Sequence, residues 1–141
     1  IDPRMETPPA GKLLTSKGGK VFIAAAAEYP TRRAALEAAG AEVWVLPDAA
    51  VPGRVDLREL MRELAKREVN EVHVEAGPRL SGALFAAGLI DEMLFYYAPC
   101  LFGAGMGPAA VPLPAEPGAA YRWRLQSLDQ IGGDFRVLLR R

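Results

Sequence analysis

Between positions 20 and 92 the chain alternates short apolar runs rich in β-branched residues with stretches where apolar residues recur every three or four positions. That alternation restricts the fold more than any other feature, because strand, helix and strand in succession form the unit from which parallel sheets are built. Residues 20–25 (KVFIAA) and 42–46 (EVWVL) read as buried strands. Residues 31–39 read as a helix that Thr31 caps and Gly40 stops. Asp56 is placed to cap a second helix running to Lys66, in which Leu57, Leu60, Met61 and Leu64 make one apolar stripe. Residues 71–74 read as a third strand. These lengths predict right-handed parallel crossovers and a doubly wound α/β sheet, with ligands at the C-terminal ends of its strands.

From Glu92 the pattern changes to a strand (EMLFYYAP), a Pro/Ala/Gly-rich excursion over 108–118, and an antiparallel pair at 122–128 and 134–139. Ile131-Gly132-Gly133-Asp134 supplies the turn of that ribbon. With 141 residues, half of them hydrophobic, the chain suits a single domain with a real core. Seventeen basic and seventeen acidic residues cancel, which gives no charge-based reason to expect nucleic acid or an anionic membrane as partner. A small-molecule partner fits better. One cysteine and one histidine exclude an internal disulfide and a multi-histidine metal centre, so no metal is expected. No apolar stretch reaches bilayer-spanning length and no signal segment opens the chain, which makes the cytoplasm the default location. Ile1-Asp2-Pro3-Arg4 reads as the end of a strand entering a loop, and a longer parent chain is expected.

The chemistry concentrates in residues 74–105. Gly77-Pro78 stops a strand and opens a helix marked by Leu80, Leu84, Phe85 and Leu89. The unpaired amides and positive dipole end of such a helix suit phosphate, so a phosphorylated ligand is the first hypothesis. Ser81 either donates to that phosphate or faces solvent, and Gly82 admits either a ligand or a close helix neighbour. Arg79 is either a solvated charge or a phosphate partner. Glu75, at the strand end, either caps amides or reads a polar ligand. Gly103-Ala104-Gly105-Met106-Gly107 lacks the Lys-Ser/Thr of a P-loop and reads as a turn. Cys100 reads as a small core residue and His73 as a packing or surface histidine.

Val74-Glu75-Ala76-Gly77-Pro78 with Gly82, then Ala87-Gly88-Leu89-Ile90-Asp91-Glu92 and Ala98-Pro99, resembles the riboflavin-biosynthesis pyrimidine reductases. Ile1-Asp2 looks like the end of that family's V-I-D strand, and Thr7-Pro8 with Leu13-Leu14 looks like the stretch after it. The resemblance implies a dihydrofolate-reductase-like fold, here the C-terminal part of the reductase domain of a bifunctional deaminase/reductase. It also implies NADPH as cofactor and, as substrate, a phosphoribosylaminopyrimidine whose ribosyl group is reduced to ribityl. By position, Glu75 would contact substrate, and Gly77, Pro78, Arg79, Leu80, Ser81, Gly82 and Ala83 would form the phosphate-binding turn of the cofactor site.

Three departures accompany the resemblance. Pro3 stands where the family usually has Ser or Thr beside the cofactor, and Arg79 where it often has a small polar residue. The K-x-A-x-S-x-D-G segment and the zinc deaminase ligands have no counterpart in the chain, so no deaminase activity is expected of it and turnover by these residues alone should be poor. The resemblance also implies a homodimer formed through sheets, for which residues 92–98 and the terminal ribbon are the expected contact. Two other readings are another NADPH reductase of the same fold and a noncatalytic dimerising remnant.

Overall fold

Strand β1 (Val21–Ala25) lies beside β2 (Ala41–Val45) in a parallel pair, with Val21 opposite Ala41 and Ala25 opposite Val45. The chain between them forms helix α2 (Pro30–Ala38), so the expected strand–helix–strand unit is present. The computed structural model describes all residues except 102, 113, 117 and 119. Two compact units divide the chain, residues 1–72 and 73–141.

In the first unit, a short helix α1 (Lys12–Thr15) precedes β1. Proline takes the first turn of α2, where its missing N–H costs nothing, and Tyr29 occupies the cap position that the sequence suggests for Thr31. The helix ends at Gly40, whose φ of +94° is a conformation that other residues resist. Leu36 is 1% exposed and packs with Met5, Ile23, Ala25 and Val43; burial of one such leucine stabilises a fold by roughly 1.5–3 kcal/mol. In a second cluster, Trp44 meets Val55, just before α3 (Leu57–Ala65), and Leu60 within that helix. Asp56 caps that helix as its sequence predicts, accepting from the amides of Arg58 and Glu59 at 2.9 Å each.

The expected third strand is not formed. Residues 69–77 carry no strand, and none of the amides of residues 70–76 joins a backbone ladder among the described residues. The composition suits a strand, but a strand exists only as a partner's neighbour, and here Val72 and Val74 stay exposed. The parallel sheet therefore has two strands rather than three.

In the second unit, helix α4 (Pro78–Ala86) precedes a three-stranded antiparallel sheet ordered β3 (Glu92–Tyr97), β5 (Asp134–Arg140), β4 (Arg124–Ile131). The ribbon turn falls at Gly132, φ +62°, between β4 and β5 as expected. Register separates the two sheet faces. Asp129 opposes Arg136, with a 2.8 Å ion pair, and Glu92 opposes Arg140, also paired. Met93, Phe95, Val137, Leu139 and Leu128 share the other face. The excursion over 108–118 lies partly outside the described residues; its described part includes Ala110, whose amide donates to the Pro78 carbonyl at 2.8 Å. Among the described residues no helix is long and apolar enough to cross a membrane.

Candidate functional site

Helix α4 opens where the sequence places the ligand turn. Gly77 is its N-cap, with φ −73° and ψ 168°, and provides no side chain, while Pro78 begins the helix without an N–H. The Ser81 amide donates to the Gly77 carbonyl at 3.1 Å, which leaves the Arg79 and Leu80 amides without a partner among the described residues. Two aligned donors at the positive end of a nine-residue helix can hold an anionic group.

The side chains divide by role. Arg79 is exposed, free of ion pairs among the described residues, and one position inside the helix, so its guanidinium can reach an anion in front of those amides. The Ser81 hydroxyl donates to the Ala76 carbonyl at 3.5 Å, a long bond that ties the turn to the preceding segment. Gly82 is buried against the Ala110 backbone, so close helix packing accounts for the missing side chain. Leu80 and Ala83 are half-buried and secure the first turn. Glu75 is highly exposed, with its Oε1 3.5 Å from His73 Nε2. The two groups alternate along the chain and meet, which gives His73 an ionisable neighbour that its sequence reading lacks.

Cys100 is exposed, against the expectation of a core position: it lies past the end of the strand at Tyr97, where residues 98–101 are all exposed. Gly103 has φ +85° and the residues around it are exposed, as suits a turn. No group of three or more His, Cys, Asp or Glu side chains able to hold a metal occurs among the described residues.

The first unit contains a separate cavity of about 450 Å³ that the sequence pattern does not single out. Met5 and Leu36 form its buried floor, and Glu6, Thr7, Thr31 and Arg32 contribute polar groups. Its wall is held by unusual local structure. Asp2 accepts from the Thr7 amide and hydroxyl, both at 2.7 Å, and the chain turns through Met5 with φ +53°. Asp2 also donates its amide to the Ala24 carbonyl, and the Ala26 amide donates to the Pro3 carbonyl, so the first residues lie along the end of β1. The carboxyl of Asp2 is desolvated, which alone would raise its pKa; donors from Glu6, Thr7 and Arg4 outweigh this and hold it below the usual value. Asp2-Pro3 followed by Thr7 is the sequence signal that could have located this turn.

Comparison with known proteins supplies the family. Over 82 residues the chain is 45% identical to the riboflavin biosynthesis protein RibD of Haemophilus influenzae, covering 57% of this chain and 22% of that protein. It is 31% identical over 87 residues to the 5-amino-6-(5-phosphoribosylamino)uracil reductase of Buchnera aphidicola, covering 61% of this chain and 42% of that one. The solved Acinetobacter baumannii RibD, form 2, superposes with a TM-score of 0.74 at 27% identity, over 96% of this chain and 34% of that chain. The chain thus spans less than half the length of each of these relatives. The fold is accordingly that of RibD reductase domains, the dihydrofolate-reductase-like arrangement the resemblance implies. Since the pattern of the RibD C-terminal domain runs through residues 1–137, nearly the whole of the sequence, the chain belongs to the RibD C-terminal domain family.

Proposed function

We propose that this chain is the reductase part of a riboflavin-biosynthesis enzyme, acting as a single domain that reduces the ribosyl group of 5-amino-6-(5-phospho-D-ribosylamino)uracil to ribityl with NADPH. The observation that carries the reading is the family match over residues 1–137, with the open N-terminus of α4 supporting it inside the chain. The relative from Buchnera aphidicola bears the name of this reductase. When bound, the nicotinamide supplies a hydride. The reduction would add that hydride to the anomeric carbon and a proton to the ring oxygen, so that the ring carbon–oxygen bond would open to the ribityl chain.

The protein's own part is binding and orientation. The Arg79 and Leu80 amides hold a cofactor phosphate, Arg79 adds a charged donor, and Gly77, Pro78, Ser81, Gly82 and Ala83 fix the turn that aims them. Hydrogen bonds to charged groups of this kind contribute about 1.5–3 kcal/mol each. Glu75, two residues before the helix cap, accepts from substrate amines or hydroxyls. The same reading places the enzyme in the cytoplasm as a homodimer associating through β3 and the terminal ribbon.

Titration of the chain with NADPH and separately with NADH, followed through Trp44, Trp123 and nicotinamide fluorescence, tests the cofactor assignment. Saturable binding that prefers NADPH is expected. A folded sample that binds neither nucleotide rejects the site, and light scattering that shows only monomer at high concentration rejects the dimer.

A further inference from the structure

A second cavity, of about 240 Å³, lies within residues 73–141, at the end of α4 remote from Gly77. Three aromatic rings line it. Phe85, on the last turn of α4, meets Tyr121 edge to face with ring centroids 4.6 Å apart, and Trp123 lies tilted to it at 6.0 Å. Both partners belong to the run that enters β4, so the cavity forms where that run meets the end of the helix. The guanidinium groups of Arg122 and Arg141 add to the lining, and among the described residues no acidic side chain joins them. Arg141 is anchored there: its Nη1 donates to the Gly88 carbonyl at 2.9 Å and its amide to the Asp91 carbonyl at 3.1 Å. The first bond answers a carbonyl just past the negative end of α4, which would otherwise repel an anion. It uses one N–H of the five in the guanidinium fork and leaves the rest for a ligand. We propose that this cavity binds a small aromatic anion, one planar ring bearing a carboxylate, with the ring among Phe85, Tyr121 and Trp123 and the charge met by Arg122 and Arg141.

Size, walls and charge each restrict the occupant. Drug-sized ligands fill pockets of roughly 300–1,000 Å³, so this one admits a single substituted ring and is too small for a dinucleotide. Aromatic walls favour a planar guest, which stacks on them or meets them edge to face. An organic cation, which such walls alone would also accept, meets two like charges here. An arginine fork matches the paired oxygens of a carboxylate.

Benzoate, benzamide and acetate test the site, each titrated into the whole chain while NMR follows the indole N–H signals of Trp123 and Trp44. Trp44 lies in the other unit and serves as the control. Benzoate should shift the Trp123 signal saturably, with a Kd of roughly 1 mM as suits so few atoms, and leave Trp44 in place. Benzamide, which has the same shape without the charge, should bind about tenfold more weakly. Acetate, which has the charge without the ring, should leave Trp123 unmoved at the same concentrations. Arg122 is exposed, so Arg122→Gln removes a charge with little effect on folding and should narrow the preference for benzoate to about threefold. Four results would each overturn the proposal: no saturable shift of Trp123, a parallel shift of Trp44, equal affinity for benzoate and benzamide, or a preference that Arg122→Gln leaves unchanged.

Discussion

Gly82 lies so close to Ala110 that a Cβ built on it would stand 2.3 Å from the Ala110 carbonyl oxygen. The contact is backbone to backbone, and the bond from the Ala110 amide to Pro78 holds the same strap over the start of α4. An added methyl group must push the strap away. Overpacking of this sort costs roughly 1–3 kcal/mol, against which alanine returns up to about 1 kcal/mol of helix propensity. Gly82→Ala should therefore lower stability by about 1 kcal/mol, read as a lower urea midpoint; an unchanged midpoint would show that the strap yields without cost.

Arg79 can be removed with little harm to the helix, because it is exposed and alanine is a better helix former. If its guanidinium meets a cofactor phosphate, Arg79→Ala should weaken NADPH by about tenfold, consistent with one charge-assisted bond. The loss should shrink as salt is raised, since screening weakens exposed charges. Equal affinity for the variant and the parent chain at low salt would remove Arg79 from the site.

Asp56 accepts two amide hydrogen bonds at the start of α3. Asp56→Ala should destabilise the protein by about 1 kcal/mol, whereas Asp56→Asn should restore most of the loss. Thermal unfolding followed by circular dichroism distinguishes them, and matched melting curves for alanine and asparagine would refute the capping role.

Asp2 titrates below the ordinary carboxylate value because donors from Glu6, Thr7 and Arg4 together overcome its desolvation. A depressed folded-state pKa means that the bound, ionised form favours folding. The contribution is fully present above the unfolded value of about 3.9 and is lost as pH falls from there through the lower folded value. The Thr7 amide, bonded to the carboxylate at 2.7 Å, reports it directly. Its NMR shift should titrate with a midpoint below about 3.9, and a midpoint at or above that value would contradict the hydrogen-bonded turn.

Sequence pattern located the elements that are stable through their own local chemistry. Asp56 caps because its side chain reaches two amides in its own turn, and Gly40 ends α2 because it alone tolerates the backbone there. The ribbon is equally local, with Gly132 reversing the chain between strands that pair with each other. Residues 71–74 failed for the opposite reason: their pattern describes an environment, a flanking strand, that the described residues do not supply. Thr31 yielded the cap to Tyr29 because Pro30 fits the first helical position without strain. The ligand turn was legible in Gly77-Pro78, but whether Gly82 faces a ligand or a neighbour depended on Ala110, twenty-eight positions away. The cavity over Met5 was hidden because it is formed by a loop and by one face of α2, two features that share no periodicity.

Buried apolar side chains are distributed unevenly between the two units. Among the described residues, Leu84 is the only one beyond residue 72; the others, from Met5 to Leu60, all lie before it. Resistance to a protease should follow the same asymmetry. Brief digestion should consume the C-terminal stretch first and leave a surviving piece that ends near the boundary at Val72, a fragment ladder visible by mass spectrometry before any change in the fluorescence of Trp44.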